Sequence, residues 1–568
     1  MDLGRIAGRV PNPVSWLADG AFQVRVLREA GLLKPVRPDK MARMAVTFGR
    51  WGTTPATGIA VTAIQYPDEV ALIDERGSLT FEELHRRSNA LANAFADLGL
   101  GPGKGVGIMC RNHRGFVDAT LAAAKLGANA LYLNTMFSGP QLSEVMKREG
   151  PELLIYDEEF ADLLDGVEES IDRVVGWPEE GTGEPTLDKL IASGDEGDLK
   201  PPSEDPRFVI LTSGTTGTPK GAQRSNPSGL GGIAALLDVI PYRSRERIMI
   251  AAPLFHSWGF THFVLSLPLA ETIVLRRRFS EEGTLEAVQE HDCQVLAVVP
   301  VMLQRIMKLP EETRSRYDLS SLRITALSGS ALPGELAVQW MDEFGDNIYN
   351  LYGSTEVAYA SIAGPEDLRE APGTAGRPPR GTIVRLYDEN DKEVGEGEVG
   401  RIFVGNDMAF EGYTGGGGKE EIDGLLSSGD VGHFDEDGRL FIDGRDDEMI
   451  VSGGENVFPR EVEDLLADHE AVAEAAVIGV EDDEFGQRLK AFVVTVEGGD
   501  LSEDDVKSHV KSNLASYKTP REVEFLDELP RNATGKIVKR KLVEREEEES
   551  GREATTGGSM VEAAEQSS

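Results

Sequence analysis

Between Phe208 and Gly221 the chain reads Phe-Val-Ile-Leu-Thr-Ser-Gly-Thr-Thr-Gly-Thr-Pro-Lys-Gly. The apolar run Phe208 to Leu211 has the length and bulk of a buried strand. It runs into Thr212, Ser213, Gly214, Thr215, Thr216, Gly217 and Thr218, then Pro219, Lys220 and Gly221. Such a loop offers free backbone N–H groups, five hydroxyls and one ammonium. Glycine lets a backbone approach a ligand closely, and these donors can wrap phosphate oxygens. The chemistry they suit is phosphate binding, although a Gly/Thr-rich stretch taken alone is more often just a turn. The spacing is not that of the G-x-x-x-x-G-K-[ST] loop, which needs glycine at 219 and Ser or Thr at 221. Here Pro219 and Gly221 stand at those positions.

A loop of this kind works only if rigid elements hold it. Thr80 to Leu98 begins with the capping box Thr80-x-x-Glu83 and continues with apolar residues at helical spacing. Val106–Met109 reads as a strand and Phe116–Leu126 as a second helix. The alternation continues through strands at Ala130–Leu133, Leu153–Tyr156, Phe208–Leu211, Ile248–Ala252, Thr272–Leu275, Val295–Val299 and Ile324–Leu327. That rhythm predicts an α/β architecture with largely parallel sheets. Pro178 to Glu204, rich in Pro, Gly and acids, reads as a surface loop. From about Val384 short strands and glycine turns predict a small antiparallel or barrel-like part. Beyond Gly444-Arg-Asp-Asp447 the pattern changes again, to helices at Pro459–Leu466 and Ser502–Leu514 and strands at Ala475–Val480 and Ala491–Val496. This predicts a compact α+β domain of about 100 residues. The expected organisation is a basic N-terminal extension over 1–50, a large domain over 51–444, a small mobile domain over 445–545 and a disordered acidic tail over 546–568.

The net charge of −40 over 568 residues argues against nucleic-acid binding, because a phosphate backbone repels such a surface. The two cysteines, Cys110 and Cys293, are too few for a disulfide framework or a metal site of their own, which points to a reducing compartment. No long uncharged apolar run and no signal sequence appear, so the cytoplasm is the expected location. No His and Cys cluster at metal-ligand spacing and no Ser-His-Asp set is evident.

The spelling Thr-Ser-Gly-Thr-Thr-Gly-Thr-Pro-Lys-Gly over 212–221 resembles the phosphate-binding signature of the adenylate-forming (AMP-binding) superfamily. More of the family's motifs follow in its order, over about residues 50 to 542. They are Pro253-Leu-Phe-His-Ser-Trp-Gly-Phe260, Ser328-Gly-Ser-Ala-Leu332, Asn350-Leu-Tyr-Gly-Ser-Thr-Glu356, Ser428-Gly-Asp-Val-Gly432 and Gly444-Arg-Asp-Asp-Glu-Met-Ile450. Ser452-Gly-Gly-Glu-Asn-Val-Phe-Pro-Arg-Glu-Val-Glu463 and Pro530-Arg-Asn-Ala-Thr-Gly-Lys536 complete the series. Any one could arise by accident; the ordered series resembles a bacterial fatty-acyl-CoA synthetase.

The resemblance implies a role for each residue. Thr212, Ser213, Gly214, Thr215, Thr216, Gly217 and Lys220 cradle the terminal phosphates of ATP. Gly329, Ser330 and Ala331 flank adenine, to which Tyr352, ahead of Gly353 and Ser354, offers an aromatic face. Thr355 donates to the α-phosphate. Glu356 holds Mg²⁺ with help from Thr212, as one carboxylate plus phosphate oxygens commonly does. Asp430 accepts the ribose hydroxyls and Arg445 adds a second ribose contact. Lys536 bridges the incoming carboxylate and the α-phosphate. His256 gates the acyl channel, which Trp258 and Phe260 line; Trp258 lies closer to its histidine than the tryptophan gate of the long-chain branch does. Asp447 is the hinge about which the small domain turns, replacing Lys536 with the Gly453-Gly454 loop and opening the coenzyme A channel.

The activity so implied converts a medium- or long-chain fatty acid to an acyl-adenylate with ATP and Mg²⁺. Coenzyme A then takes the acyl group as a thioester, with AMP and pyrophosphate released. An acyl-AMP ligase that loads a carrier protein would carry the same nucleotide motifs; intact Thr355, Glu356 and Lys536 speak against a third reading, a nucleotide-binding sensor that has lost catalysis. Aliphatic acids are favoured because no acid suited to an amino-acid ammonium group is recognisable. Nothing in the sequence fixes an oligomeric state. The first 50 residues hold nine basic against four acidic residues, a net +5, mixed with Trp16, Leu17, Phe22, Val26, Leu27, Leu32, Leu33, Met41, Met44 and Phe48. Two roles fit this segment: peripheral contact with an anionic membrane, or a helical arm docked on the large domain, broken into short pieces by Pro11, Pro13, Pro35 and Pro38.

Overall fold

The computed structural model describes residues 13–179, 183–212, 220–224, 231–408, 410–414, 416, 418–448, 450–452, 455–482, 486–496, 498–499, 501–532 and 535–546. They divide into two compact units, one of residues 1–384 and 404–426, the other of residues 385–403 and 427–568.

The first unit is built on two sheets. Its strands, in chain order, are β1 (Val70–Asp74), β2 (Gly77–Thr80), β3 (Gly105–Met109), β4 (Asn129–Tyr132), β5 (Leu153–Asp157), β6 (Asp172–Trp177) and β7 (Phe208–Thr212). They continue with β8 (Lys220–Arg224), β9 (Arg247–Ile250), β10 (Thr272–Val274), β11 (Val295–Val298), β12 (Ile324–Leu327), β13 (Ile348–Tyr352) and β14 (Ser361–Ala363). One sheet has the order β14-β13-β12-β11-β9-β10-β1-β2; the other runs from the strand Phe410–Tyr413 through β8-β7-β4-β3-β5-β6. The central pairs β9–β11, β11–β12 and β12–β13 are parallel, as are β3–β4, β3–β5 and β4–β7. Strands buried on both faces read as unbroken apolar runs, and β11 and β12 are buried at every position. The predicted strands are therefore all present.

The helix Phe81–Asp97 starts on its capping box, with Glu83 N donating to Thr80 Oγ1 at 3.2 Å and Thr80 N to Glu83 Oε2 at 2.8 Å. The helix Arg114–Leu126 is buried along its whole length, which its alanine-rich middle permits. Just before it, Asn112 ties the two sheets together. Its Nδ2 donates to Ile250 O at 3.2 Å and Ala252 O at 2.9 Å, and its Oδ1 accepts from Leu254 N at 2.8 Å. That clamp fixes the turn leaving β9, on which His256 sits.

Two expectations change. Between Pro178 and Glu204 the chain forms a helix, Leu187–Ser193, because Thr186 Oγ1 caps Lys189 N at 3.2 Å and Asp188 pairs with Arg76 at 2.7 Å. The N-terminal prolines start helices rather than break them: Pro13 opens α1 (Pro13–Glu29) and Pro38 opens α2 (Pro38–Trp51), the position where proline's fixed φ suits a helix. Both helices dock. Val26, Leu27 and Ala30 of the first segment and Thr47 and Trp51 of the second are buried. Arg25 pairs with Asp238 at 2.8 Å, and Trp51 Nε1 donates to Lys125 O at 3.2 Å. Among the described residues no helix is long and apolar enough to cross a membrane.

In the second unit, Asp430 to Phe434 pair antiparallel with the strand Leu440–Arg445. A further sheet joins the strands Glu455–Val457, Ile450–Ser452, Gly486–Thr495 and Val472–Asp482, with Glu522–Phe525 alongside Gly486–Thr495. Helices Pro459–Ala467 and Glu503–Asn513 supply Val462, Leu466, Val506 and Val510 to its core. This is the α+β pattern expected for that stretch.

Candidate active site

In an open α/β sheet, ligands bind beyond the carboxyl ends of the parallel strands. Three predicted segments stand there together. His256 follows β9, Gly329-Ser330-Ala331 follows β12, and Tyr352 to Glu356 follows its neighbour β13. Gly353 is dictated by space, since a Cβ there would lie 2.1 Å from Ala358 O. Ser354 Oγ accepts from the backbone N of Glu356 and Val357, at 3.2 and 3.3 Å, and so folds the turn. Thr355 is half-buried in the same turn.

Glu356 is buried but held by neutral donors. Its Oε2 accepts from Ser354 Oγ at 2.9 Å and its Oε1 from Tyr413 Oη at 2.8 Å. Burial and the adjoining carboxylate push the Tyr413 hydroxyl's pKa up, so it stays protonated and donates. Two neutral donors orient the carboxylate without neutralising it, which suits a divalent cation.

Tyr413 also joins this turn to the hairpin that flanks the predicted phosphate loop. It lies on the strand Phe410–Tyr413, opposite Ala222 of β8. β7 and β8 form an antiparallel hairpin in which Thr212 stands opposite Lys220, so they hold the two ends of the predicted loop. Gly221 N donates to Thr414 Oγ1 at 3.1 Å, and Thr414 Oγ1 to Glu149 Oε1 at 2.7 Å, pinning the hairpin. Ser213, Gly214, Thr215, Thr216 and Gly217 lie outside the described residues, as do Gly453 and Gly454.

Sequence reasoning assigned no role to Tyr413 or Asn350. Asn350 is 8% exposed and its Oδ1 is buried with no hydrogen-bond partner. An orphaned acceptor is costly to bury, and within β13, two residues before Tyr352, it suits an amino group, such as that of adenine. Its place two residues before Tyr352 was the available signal; Tyr413 carried none, being 57 residues from Glu356.

His256 precedes the helix Ser257–Leu269, with Nδ1 buried and unpaired. Burial pushes its pKa down to about 4, so at neutral pH the ring is uncharged. Trp258 and Phe260 are both buried. Trp258 Nε1 donates to Val298 O at 3.0 Å, at the end of β11, and its ring meets His262 edge-on at 4.4 Å. Phe260 lies among Tyr132, Phe208 and Phe263, with ring centroids 4.7, 5.5 and 6.1 Å away.

In the second unit Asp430 and Arg445, the two residues expected at ribose, are direct cross-strand partners, with Arg445 Nη1 3.1 Å from Asp430 Oδ1. Asp447 falls in a 3₁₀ turn, Asp446–Glu448, between two strands. Lys536 is exposed at a tight turn closed by an antiparallel bridge between Arg531 and Ile537. Gly535 takes a φ of +78°, and Lys536 N donates to Asn532 Oδ1 at 2.9 Å. Arg531 bonds Gly535 O and pairs with Glu474 at 2.8 Å, so the turn is anchored to the sheet.

One cluster departs from expectation. Cys110, His113 and Asp157 come together, fully buried, with ligand atoms within 4.8 Å of one another. His113 Nδ1 accepts from Gly115 N at 3.0 Å and Nε2 meets Asp157 Oδ1 at 2.8 Å. Both ring nitrogens are thus engaged within the chain, and the group serves as an internal tie.

A profile described as "AMP-binding enzyme" matches residues 59–414, and one described as "AMP-binding enzyme C-terminal domain" matches residues 461–536. A fatty acid–[acyl-carrier-protein] ligase, ScoC, of Streptomyces coeruleorubidus is 30% identical over 84% of this chain and 94% of its own length. A feruloyl-CoA synthase of an Amycolatopsis species is 34% identical over 81% and 93%. Among solved structures, the Bacillus subtilis o-succinylbenzoate CoA synthetase bound to its acyl-adenylate is 28% identical, with a TM-score of 0.74 over 85% of this chain and 97% of that one.

Proposed function

The chain belongs to the AMP-binding enzymes of the adenylate-forming superfamily, and on that premise we propose that it is an acid–CoA ligase acting on an apolar carboxylic acid, a medium- or long-chain fatty acid first. In the first step the carboxylate attacks the α-phosphorus of ATP. The new bond joins acyl oxygen to phosphorus, and the bond to the β-phosphate oxygen breaks to release pyrophosphate. In the second step the thiolate of coenzyme A attacks the acyl carbon, the thioester forms, AMP leaves and the thiol proton passes to solvent.

The observation that carries this reading is the link from Glu356 through Tyr413 to the hairpin holding the phosphate loop. It joins a carboxylate fit for a metal ion to the donors fit for a polyphosphate. Glu356, with Thr212, would hold Mg²⁺, which supplies positive charge to the phosphate oxygens. The donors from Thr212 to Lys220 orient the leaving pyrophosphate, Thr355 donates to the α-phosphate, and Asn350 accepts from the adenine amino group. Tyr352 and the Gly329–Ala331 loop flank the base, while Asp430 and Arg445 meet the ribose. His256, Trp258 and Phe260 form the acyl side. The uncharged His256 ring and its apolar neighbours support an apolar acid. Reorientation of the chain beyond Asp447 exchanges Lys536 for the Gly453-Gly454 segment between steps, as different constellations at one site require.

Pyrophosphate release over a panel running from acetate through long-chain to aromatic acids tests the reading, with thioester then measured on free coenzyme A. The expected result is release with fatty acids and thioester formation. Absence of release with every apolar acid overturns it. The ScoC relative favours one second reading, transfer to a carrier protein; adenylate formation without thioester on free coenzyme A would point there.

Tyr413 is a positioning residue in this scheme. Outer partners of a metal-binding carboxylate typically contribute 10–100-fold in metal affinity or activity. Tyr413→Phe keeps the ring and removes the donor, so the Mg²⁺ concentration for half-maximal pyrophosphate release should rise by roughly 10-fold, with thermal stability nearly unchanged. An unaltered Mg²⁺ dependence would remove Tyr413 from the scheme.

A further inference from the structure

Helix α2 has two faces of opposite use. Lys40, Met44, Thr47 and Trp51, at the i, i+4, i+7, i+11 spacing of one helix face, turn inward. Thr47 and Trp51 are buried, and Lys40 Nζ donates to Gln65 O at 2.7 Å. The opposite face carries Met41, Ala42, Ala45, Val46, Phe48 and Gly49, all exposed and none charged. Met41 is 56%, Val46 62% and Phe48 49% exposed, and Leu33 just before the helix is 51% exposed. Lone exposed apolar residues are ordinary; a contiguous apolar strip marks a binding surface.

We propose that this face of α2 lies on an anionic lipid surface. Charge selects that occupant. Exposed Lys34, Arg37 and Arg43 and half-buried Arg50 border the strip, against Asp39 alone on the same helix. Arg37 is shared with Asp39 at 3.1 Å and Arg50 with Asp198, which leaves Lys34 and Arg43 as the rim's outward charges. An apolar stripe bordered by cations is the pattern of helices that lie in the plane of a membrane interface. A second copy is the poorer fit. A two-fold contact through this strip would gather two copies of Lys34 and Arg43 in one interface, with only Asp39, already shared with Arg37, to offset them. The remainder of a −40 chain is repelled by anionic lipid, so contact is confined to the basic segment.

The test is co-sedimentation of the full chain with phosphatidylglycerol-rich vesicles and with phosphatidylcholine vesicles, at low and high salt. Binding is expected on the anionic vesicles only, weakening with salt because the rim's attraction is screened. Met41→Asp with Phe48→Asp should lower the bound fraction at least ~10-fold, and Lys34→Glu with Arg43→Glu comparably. All four side chains are exposed, so circular dichroism and the melting temperature should match the parent. Equal pelleting of the parent and the Met41/Phe48 variant, equal binding to both lipids, or no binding at all would overturn the proposal. So would a parent dimer in solution that the Met41/Phe48 variant abolishes, which would assign the strip to a second copy.

Discussion

Replacing Lys536 with alanine will lower acyl-adenylate formation at least ~10²-fold, the scale of removing one donor aimed at developing negative charge. Thioester formation from supplied acyl-adenylate will be nearly unaffected. The asymmetry stems from the proposed division of labour. Bringing a carboxylate onto a phosphate requires positive charge between two anions, whereas thiolate attack on the adenylate takes place after Lys536 has been exchanged. The turn itself should survive. Its shape comes from Gly535, from the Asn532 side chain and from Arg531 anchored to Glu474, none of which uses the Lys536 ammonium. The two half-reactions are measured separately, by pyrophosphate release and by consumption of added adenylate. Equal loss in both would show that Lys536 serves the protein in some other way.

Asp447→Pro should show the reverse selectivity. Proline fixes φ and removes an N–H, and Asp447 sits in a three-residue 3₁₀ turn between the strands Leu440–Arg445 and Ile450–Ser452. A hinge residue absorbs backbone rotation, so fixing its torsion favours one orientation of the chain beyond it. Thioester formation is expected to fall by ~10²-fold, comparable to misplacing reacting groups by about an ångström, while pyrophosphate release falls far less. Unchanged overall turnover would remove Asp447 as the hinge.

The elements were legible because each carries its own local signal. β11 and β12 announce burial on both faces by unbroken apolar runs, and Thr80 with Glu83 marks where a helix begins. The strand leading into Thr212 was legible for a related reason: Phe208 to Leu211 form an unbroken apolar run. What escaped depends on segments distant in the chain. Asn112 holds the turn after β9 from 142 residues away at Leu254, and Tyr413 reaches Glu356 across 57. Neither residue type is unusual where it stands; only the packing of one sheet against another gives it a partner. The prolines of the first 50 residues misled for a different reason. Pro13 and Pro38 interrupt a pattern read along the chain, yet proline at a first helical position is a start, and the helices run 17 and 14 residues from them.

Trp51 gathers Ala56, Ala60 and Ala124 into one apolar cluster, and Phe208, the first residue of β7, packs against it. The indole at the end of α2 therefore shores up the root of the strand that leads into the proposed phosphate loop. For anyone trimming this protein for recombinant work, residue 59, where the family match begins, is the wrong place to cut. A chain shortened there would lose Trp51 and uncover both the Lys125 carbonyl and the flank of Phe208. The strand that leads into the proposed phosphate loop would be left with a loosened footing although every one of its own residues was still present.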